Sequence, residues 1–347
     1  MRDIIGQMEQ WARAGKGIAL ATIVNTWGSA PRKAGAHMAV NEDGDIAGSV
    51  SGGCVEGAVV EKAMAVLEGG KAGLLHFGVQ DETAWEVGLA CGGEIDVFVR
   101  PIPESLTSFA ARVLRADEEL RMWTIIGGAG ESLGKHLMQS GDQTSNCTHD
   151  WDDAPKDKIE VVRSVPRRSA IQIETAILDG EEHQILLQSI TPAPTLLVVG
   201  GAHIAIALTE IAHLMGFRTV VIDPRKVFGS KERFPHIDAL MQRWPQDAMR
   251  DVGINSNTAV VTLSHDPKID DPALISAVPS EAFYVGALGS KKTHQKRKKR
   301  LAETGMAKDC IEKIHSPVGL DIGAEEPEEI ALAIMAEIVA ARSKAAD

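Results

Sequence analysis

The chain has 347 residues, 44% of them apolar and 24% charged, with a formal charge of -12; the length predicts two domains and the composition an ordinary soluble globular protein. The acidic balance argues against general nucleic-acid binding. No run of about 18 apolar residues is present to span a membrane and Met1-Arg2-Asp3-Ile4-Ile5-Gly6 lacks the apolar core of a signal peptide, so a cytoplasmic location is expected.

Ile4, Ile5, Met8, Trp11 and Ala12 share one face of an opening helix that stops before Gly15-Lys16-Gly17. Residues 18–24 then read as a strand running into the loop Trp27-Gly28-Ser29-Ala30-Pro31-Arg32. Two more strands, residues 36–40 and 45–48, are joined by Asn41-Glu42-Asp43-Gly44, whose Asp-Gly suits a hairpin. The hairpin delivers the chain to Gly48-Ser49-Val50-Ser51-Gly52-Gly53-Cys54-Val55-Glu56. Val55, Val59, Ala63, Val66 and Leu67 follow at helical spacing until Gly69-Gly70, which places Cys54 in the first helical turn. Unpaired N–H groups and the helix dipole favour a thiolate there, the form that attacks, binds metal or carries sulfur. The alternative is an inert packed thiol.

Cys91 has a similar setting, Gly88-Leu89-Ala90-Cys91-Gly92-Gly93-Glu94, just before a strand at residues 95–99. If the fold brings Cys54 and Cys91 together, they can hold a soft metal centre or pass a sulfur atom. Cys147 and Cys310 lack glycine neighbours and read as bystanders; with no CxxC pair, neither a zinc site nor a disulfide framework is expected. Thr124-Ile125-Ile126 with Gly130, Ser132, Gly134 and Met138 echoes Thr22-Ile23-Val24 with Gly28, Ser29, Gly35 and Met38, a faint half-repeat. Residues 141–168 are polar and read as a loop or excursion around Trp151-Asp152-Asp153-Ala154-Pro155. Strand-like runs at residues 170–178 and 183–190 flank the turn Asp179-Gly180 and complete a first domain, residues 1–190.

Thr191-Pro192-Ala193-Pro194 cannot continue a strand and marks the boundary to a second domain, residues 191–347. Thr195-Leu196-Leu197-Val198-Val199 is an apolar run of the kind buried in a parallel sheet. Gly200-Gly201-Ala202-His203, a helix to about Met215 and a run at residues 218–222 capped by Asp223 complete the layout of a dinucleotide-binding fold. Its fingerprint is G-x-A-x-x-A, with a methyl group at Ala202 where backbone should approach a pyrophosphate; the fold is predicted and the ligand left open. The predicted fold class is therefore α/β, an N-terminal sheet-rich α+β domain followed by a C-terminal Rossmann-like doubly wound parallel sheet.

Further βα units lead to Ser264-His265-Asp266-Pro267 and to Leu288-Gly289-Ser290-Lys291. Ligands of open parallel sheets sit at the C-terminal strand ends, so Gly200, Gly201, His203, Asp223, Arg225, His265, Asp266 and Ser290 are expected at one crevice. His265 is the acid/base candidate, with helix capping by Ser264-His265-Asp266 as the alternative. No HxxxH pattern or carboxylate cluster is present, and no metal site built wholly from protein ligands is expected. The basic run at residues 291–300 reads as a solvated helix face for a protein or phosphate contact. A last amphipathic helix begins near Pro327 and carries Ile330, Ala331, Ile334, Ile338 and Val339.

Taken together, Gly28-Ser29-Ala30-Pro31-Arg32, the turn from Gly48 to Glu56, Cys91-Gly92-Gly93, Gly200-Gly201-Ala202-His203, Asp223-Pro224-Arg225, Arg233-Phe234-Pro235, Tyr284-Val285-Gly286 with Gly289-Ser290, and Pro317-Val318-Gly319-Leu320-Asp321-Ile322-Gly323 resemble the XdhC/CoxI family. These are accessory factors for xanthine dehydrogenase and carbon monoxide dehydrogenase. The resemblance implies a chaperone that binds molybdenum cofactor (molybdopterin), promotes its sulfuration and delivers it to a molybdenum hydroxylase of that type. It implies that Cys54 and Cys91 touch the molybdenum or the arriving sulfur, with Ser51, Gly52, Gly53 and Glu56 as contacts in the same turn, and that the Rossmann-like domain holds a nucleotide-like or pterin-phosphate portion. Two alternatives stand beside it: an NAD(P)-dependent oxidoreductase in which Asp223 holds a ribose and His265 moves protons, and a scaffold that recruits a cysteine desulfurase. A homodimer is the default assembly.

Overall fold

The computed structural model describes residues 1–53, 55–78, 93–128, 132–141, 146–149, 171–178 and 180–346. The chain divides into two compact units, Met1–Pro192 and Ala193–Asp347.

In the first unit, α1 (Ile5–Arg13) precedes an antiparallel sheet of β1 (Ile18–Trp27), β2 (His37–Asn41), β3 (Ile46–Gly48), β4 (Gly73–Phe77) and β5 (Glu94–Pro101), with α2 (Glu56–Leu67) between β3 and β4. Its strand order is β3-β2-β1-β5-β4. Successive residues of β1 point to opposite faces: Leu20 joins Met8, Trp11, Leu106 and Ala110 on one side, while Ala19, Ala21 and Ile23 meet Val59, Ala63 and Val66 of α2 on the other. Both faces are covered, which is why the strand reads as a nearly continuous apolar run rather than an alternation.

A second set follows the same plan. After α3 (Glu104–Arg115) come β6 (Leu120–Gly127), β7 (His136–Ser140), β8 (Cys147–His149), β9 (Ile171–Leu178) and β10 (Glu181–Ile190), in the order β8-β7-β6-β10-β9. The half-repeat at residues 22–38 and 124–138 is thus carried by the topology. Thr22 lies opposite His37, and Thr124 opposite His136. In each copy a glycine N–H closes the hairpin, Gly35 onto the Ile23 carbonyl and Gly134 onto that of Ile125, both at 2.8 Å.

The repeat also builds a buried polar pair. Thr22 Oγ1 is 3.0 Å from His37 Nδ1 and Thr124 Oγ1 is 2.5 Å from His136 Nδ1. Each ring takes its other bond from the opposite copy: Gln188 Nε2 donates to His37 Nε2 at 3.4 Å, and Arg100 Nη2 donates to His136 Nε2 at 3.2 Å. With Nε2 accepting, the ring proton belongs on Nδ1 and both imidazoles are neutral. Burial, followed by nearby positive charge that includes Arg100, holds both well below the ordinary histidine pKa.

The second unit is an open parallel sheet of β11 (Thr195–Val199), β12 (Arg218–Ile222), β13 (Ala239–Met241), β14 (Thr258–Thr262) and β15 (Tyr284–Ala287), ordered β13-β12-β11-β14-β15. One face packs on α4 (His203–Leu214) and α9 (Pro327–Ala346), with Leu196 and Val198 against Ala205, Leu208, Ile334 and Ile338. The other packs on α5 (Pro245–Val252), α6 (Pro267–Ala277), α7 (Lys291–Glu303) and α8 (Lys308–Ile311), with Leu197 and Val199 against Met249, Ile269, Leu274 and Leu301. The strand order reverses direction between β11 and β14, which opens a crevice above their C-terminal ends. This is the doubly wound sheet expected from the residues. Among the described residues, no helix is long and apolar enough to cross a membrane.

Candidate functional site

In the first unit the sheet registers bring three segments to one end. Gly48 of β3 pairs beside Met38, Trp27 of β1 pairs with Glu94 of β5, and Phe77 of β4 pairs with Ile95. The glycine turn, the loop Gly28 to Arg32 and the residues just outside 79–92 all leave the sheet there. Cys54 and Cys91 lie outside the described residues. Gly93, the last residue of the Cys91-Gly92-Gly93 motif, packs so closely on the loop that a Cβ at this position would stand 2.8 Å from the Ser29 carbonyl carbon. Beside it, Asp96 accepts from Asn25 Nδ2 at 3.2 Å and pairs with His76 Nδ1 at 2.7 Å. The edge of Trp27 meets the His76 ring, with centroids 6.5 Å apart.

The turn itself is organised by Glu56. Its carboxylate accepts from Ser49 Oγ (2.7 Å), Ser51 Oγ (2.6 Å) and the backbone N–H groups of Ser51, Gly52 and Gly53 (each 2.9 Å). Burial opposes ionisation, but the bonds from the two serines and the amides outweigh it and hold the Glu56 carboxyl far below the usual carboxylate range. Gly48 makes the entry possible: at φ +80, a Cβ would sit 2.5 Å from the His37 carbonyl oxygen. Helix α2 begins at Glu56 with Val55 as its N-cap, so position 54 precedes the helix and does not stand in its first turn, where helical spacing placed Cys54. The amides of residues 51–53 are therefore spent on an internal carboxylate, and the electrostatics of the turn include a fixed negative charge that the helix-dipole argument for Cys54 leaves out.

In the second unit, the chain turns at Gly200 with φ +106, where a Cβ would lie 2.6 Å from the Ser264 nitrogen. Gly201 N–H donates to Asp223 Oδ2 at 2.8 Å. Asp223 also accepts from the N–H of Arg225 and, in a fork, from Arg225 Nε (2.9 Å) and Nη2 (2.8 Å). Burial would push its carboxyl up, but the bonds from Arg225 and Gly201 outweigh that and hold it below the ordinary value. Arg225 stacks over the Phe228 ring at 4.2 Å, and Arg233 Nη2 donates to the Gly201 carbonyl at 3.1 Å, so the segment after β12 clasps the glycine turn. Asp266 and Asp270 lie near enough to raise the Arg225 pKa further, after the hydrogen bond and charge of Asp223.

The crevice thus gathers Gly200, Gly201, Asp223, Arg225 and Asp266. His203 opens α4 as an exposed residue, and Ser290 caps α7 by accepting from Thr293 N–H at 3.2 Å. His265 does not cap α6. Asp266 accepts from Lys268 N–H at 2.9 Å, and Ser264 Oγ accepts from Asp266 N–H while donating to Asp270 at 2.6 Å. His265 is left exposed with φ +61, a left-handed conformation unusual for a residue with a side chain. Sequence patterns passed over Asp96, Asp270 and Glu337. Asp96 and Glu337 are carboxylates between apolar neighbours of a strand and a helix, a pattern that signals a paired acid, whereas Asp270, beside Asp271, gives no such signal.

The second unit is a Rossmann domain by its topology, its glycine turn and the acidic residue after its second strand. Residues 196–338 match the model of the XdhC Rossmann domain, and residues 11–78 that of the XdhC and CoxI family. The chain belongs to the XdhC and CoxI family. It is 29% identical, over 94% of each chain, to a Bacillus subtilis protein described as a probable subunit of xanthine dehydrogenase. It is 27% identical to the molybdenum cofactor insertion chaperone PaoD of Escherichia coli, over 95% of this chain and 85% of that one. A crystal structure of a xanthine dehydrogenase from Bacillus halodurans superposes with a TM-score of 0.78 at 26% identity, covering 98% of this chain and 96% of the other.

Proposed function

We propose that this protein is an accessory factor that binds molybdenum cofactor as cargo, assists its sulfuration and delivers it to a molybdenum hydroxylase of the xanthine or carbon monoxide dehydrogenase type. The observation that carries the proposal is likeness along nearly the whole chain to a molybdenum cofactor insertion chaperone. The charged groups of the crevice support it. In a dinucleotide-dependent dehydrogenase the acid after the second strand is free to bind a ribose, whereas both oxygens of Asp223 are taken by Arg225 and Gly201. That arrangement leaves the Nη1 edge of Arg225, not a carboxylate oxygen, to meet a ligand, and suits a phosphate oxygen of a pterin or nucleotide better than ribose hydroxyls. It weighs against the NAD(P)-dependent oxidoreductase.

On this proposal the cargo's phosphate-bearing portion lies at Gly200, Gly201, His203, Arg225, His265, Asp266 and Ser290. Cys54 and Cys91 supply thiols to the molybdenum or to sulfur handed over by a cysteine desulfurase, because thiolate is the ligand a soft metal prefers. Glu56 holds the amides of residues 51–53 in place. The test is retention: incubate wild type, Cys54→Ser and Arg225→Ala with molybdenum cofactor, remove free ligand, and read the retained pterin by fluorescence after oxidation. Retention by wild type and loss in both variants is the expected result. Absence of retention by wild type would overturn the proposal.

A further inference from the structure

A second feature of the Rossmann domain lies at the opposite end of its sheet from the crevice and is not used by the proposed function. Beside the start of β15, Val278, Ser280, Ala282, Phe283, Tyr284, Val285, Lys313 and His315 enclose an open cleft of about 310 Å³. That volume is at the lower end of the range for small-molecule sites. One wall is a polar knot centred on Glu337 of α9. Tyr284 Oη donates to Glu337 Oε2 at 2.6 Å, Gly319 N–H donates to the same oxygen at 2.7 Å, and His315 Nδ1 is 2.9 Å from Oε1. The His315 ring lies against Tyr284, with centroids 4.5 Å apart and planes tilted by 34°.

We propose that this cleft is a binding site for a small organic carboxylate with an apolar body. Glu337 accepts the Nδ1 proton of His315, which leaves Nε2 as the nitrogen that faces a ligand and donates to it when the ring is an imidazolium. With 38% of its side chain exposed, His315 can be reached. Lys313, exposed on the same rim, adds an ammonium. Among the described residues no acidic side chain lines the cleft, and the carboxylate of Glu337 is committed to three donors behind the ring. The Lys313 ammonium and, in the imidazolium form of His315, the Nε2–H match the two oxygens of a carboxylate; no glycine turn or helix N-terminus among the described residues lines the cleft to supply the further amides a phosphate collects. Val278, Ala282, Phe283 and Val285 give the rest of the ligand an apolar wall. A positive, half-apolar cleft stands out on a chain of net charge -12.

Saturation-transfer NMR on the full chain tests this, with benzoate as the probe, benzamide as its uncharged isostere and inorganic phosphate as a plain anion. Wild type is expected to bind benzoate saturably in the millimolar range and to prefer it to both controls. Lys313→Glu, an exposed change that leaves the melting temperature unaltered, should weaken benzoate about tenfold, the size of one charge-assisted contact. Ala282→Phe should block it by filling the cleft. His315→Phe keeps a ring against Tyr284 and removes both nitrogens, and should weaken benzoate in the same way. Equal binding of benzamide or phosphate, binding unchanged in Lys313→Glu or Ala282→Phe, or no saturation by wild type would each overturn the proposal. None of these outcomes depends on molybdenum cofactor.

Discussion

Replacing Glu56 by alanine removes the acceptor of five hydrogen bonds that shape the glycine turn. Bonds to a charged acceptor are worth about 1.5–3 kcal/mol each when fully buried. Gly52 and Gly53 are exposed, so water replaces the lost carboxylate at their amides. Taking about 0.5 kcal/mol per bond, at the low end of net values, gives a loss of about 2.5 kcal/mol. For a unit of this size that corresponds to a melting temperature lower by about 5–10 °C in the transition of the first unit. Calorimetry reads that shift, and amide hydrogen exchange at Ser51, Gly52 and Gly53 reads its location. Glu61→Ala, an exposed change on the same helix, is the control and should leave both unchanged. Glu56→Gln keeps the size but turns an amide NH₂ toward donors, and should recover less than half of the loss. If Glu56→Ala melts with the wild type and the three amides exchange no faster, the carboxylate does not organise the turn.

His37 and His136 are neutral in the fold, with pKa values held below the ordinary one, while in the unfolded chain they titrate near 6.5. Below that pH the unfolded state binds more protons, so stability present above about 6.5 is lost on acidification, by up to about 1.4 kcal/mol per pH unit for each histidine. Urea midpoints of the first unit that stay flat as the pH is taken well below 6 would contradict this. In the second unit, Asp223→Ala strands Arg225 and the Gly201 amide, and a loss of about 2–3 kcal/mol is expected in denaturant titrations, reduced from the fully buried case because Arg225 is partly exposed. NADH titrated against the wild type should show no micromolar binding, and tight binding would return Asp223 to a ribose-binding role. His265→Gly should gain about 1 kcal/mol by relieving the left-handed backbone, whereas His265→Ala should gain nothing; a gain by alanine would show that the backbone is not the source.

How much of the structure is legible in the residues depends on whether a local rule or a distant partner decides the outcome. The four apolar positions of α1, with Ile4 buried at its N-cap, and the run at residues 195–199, buried from Leu196 onward, follow from periodicity alone and stand as expected. The hairpin of β2 and β3 follows from Asp43-Gly44, with Asn41 Oδ1 accepting from Asp43 and Asp45 N–H groups to finish the turn. Strand β4 leaves no clear pattern, because Gly73-Leu74-Leu75-His76-Phe77 is an edge strand whose half-buried and exposed residues are not sorted by polarity. Helix α3 and strand β13 are likewise missing from the sequence reading, and β13 is only three residues long. At the site, the glycine turn is visible in the sequence and its clasp is not: Glu56 lies in the motif, but nothing in the spelling says that its side chain folds back on the amides before it. Asp223 does stand at the end of its strand as expected, and its pairing with Arg225 changes what that placement means.

The two matching sheets of the first unit resemble a dimer whose partners share one backbone. Joining them in a single chain releases each half from copying the other. A twofold assembly of identical subunits would set the same residue beside both histidines, yet in this chain His136 faces the cation of Arg100 and His37 the neutral amide of Gln188. The same freedom lets the first half keep the Ser51-Gly52-Gly53-Cys54 stretch while residues 150–170, which follow β8 in the second half, contain neither glycine nor cysteine. One half can specialise while its counterpart remains a supporting surface, a division of labour unavailable to subunits encoded by one shared sequence.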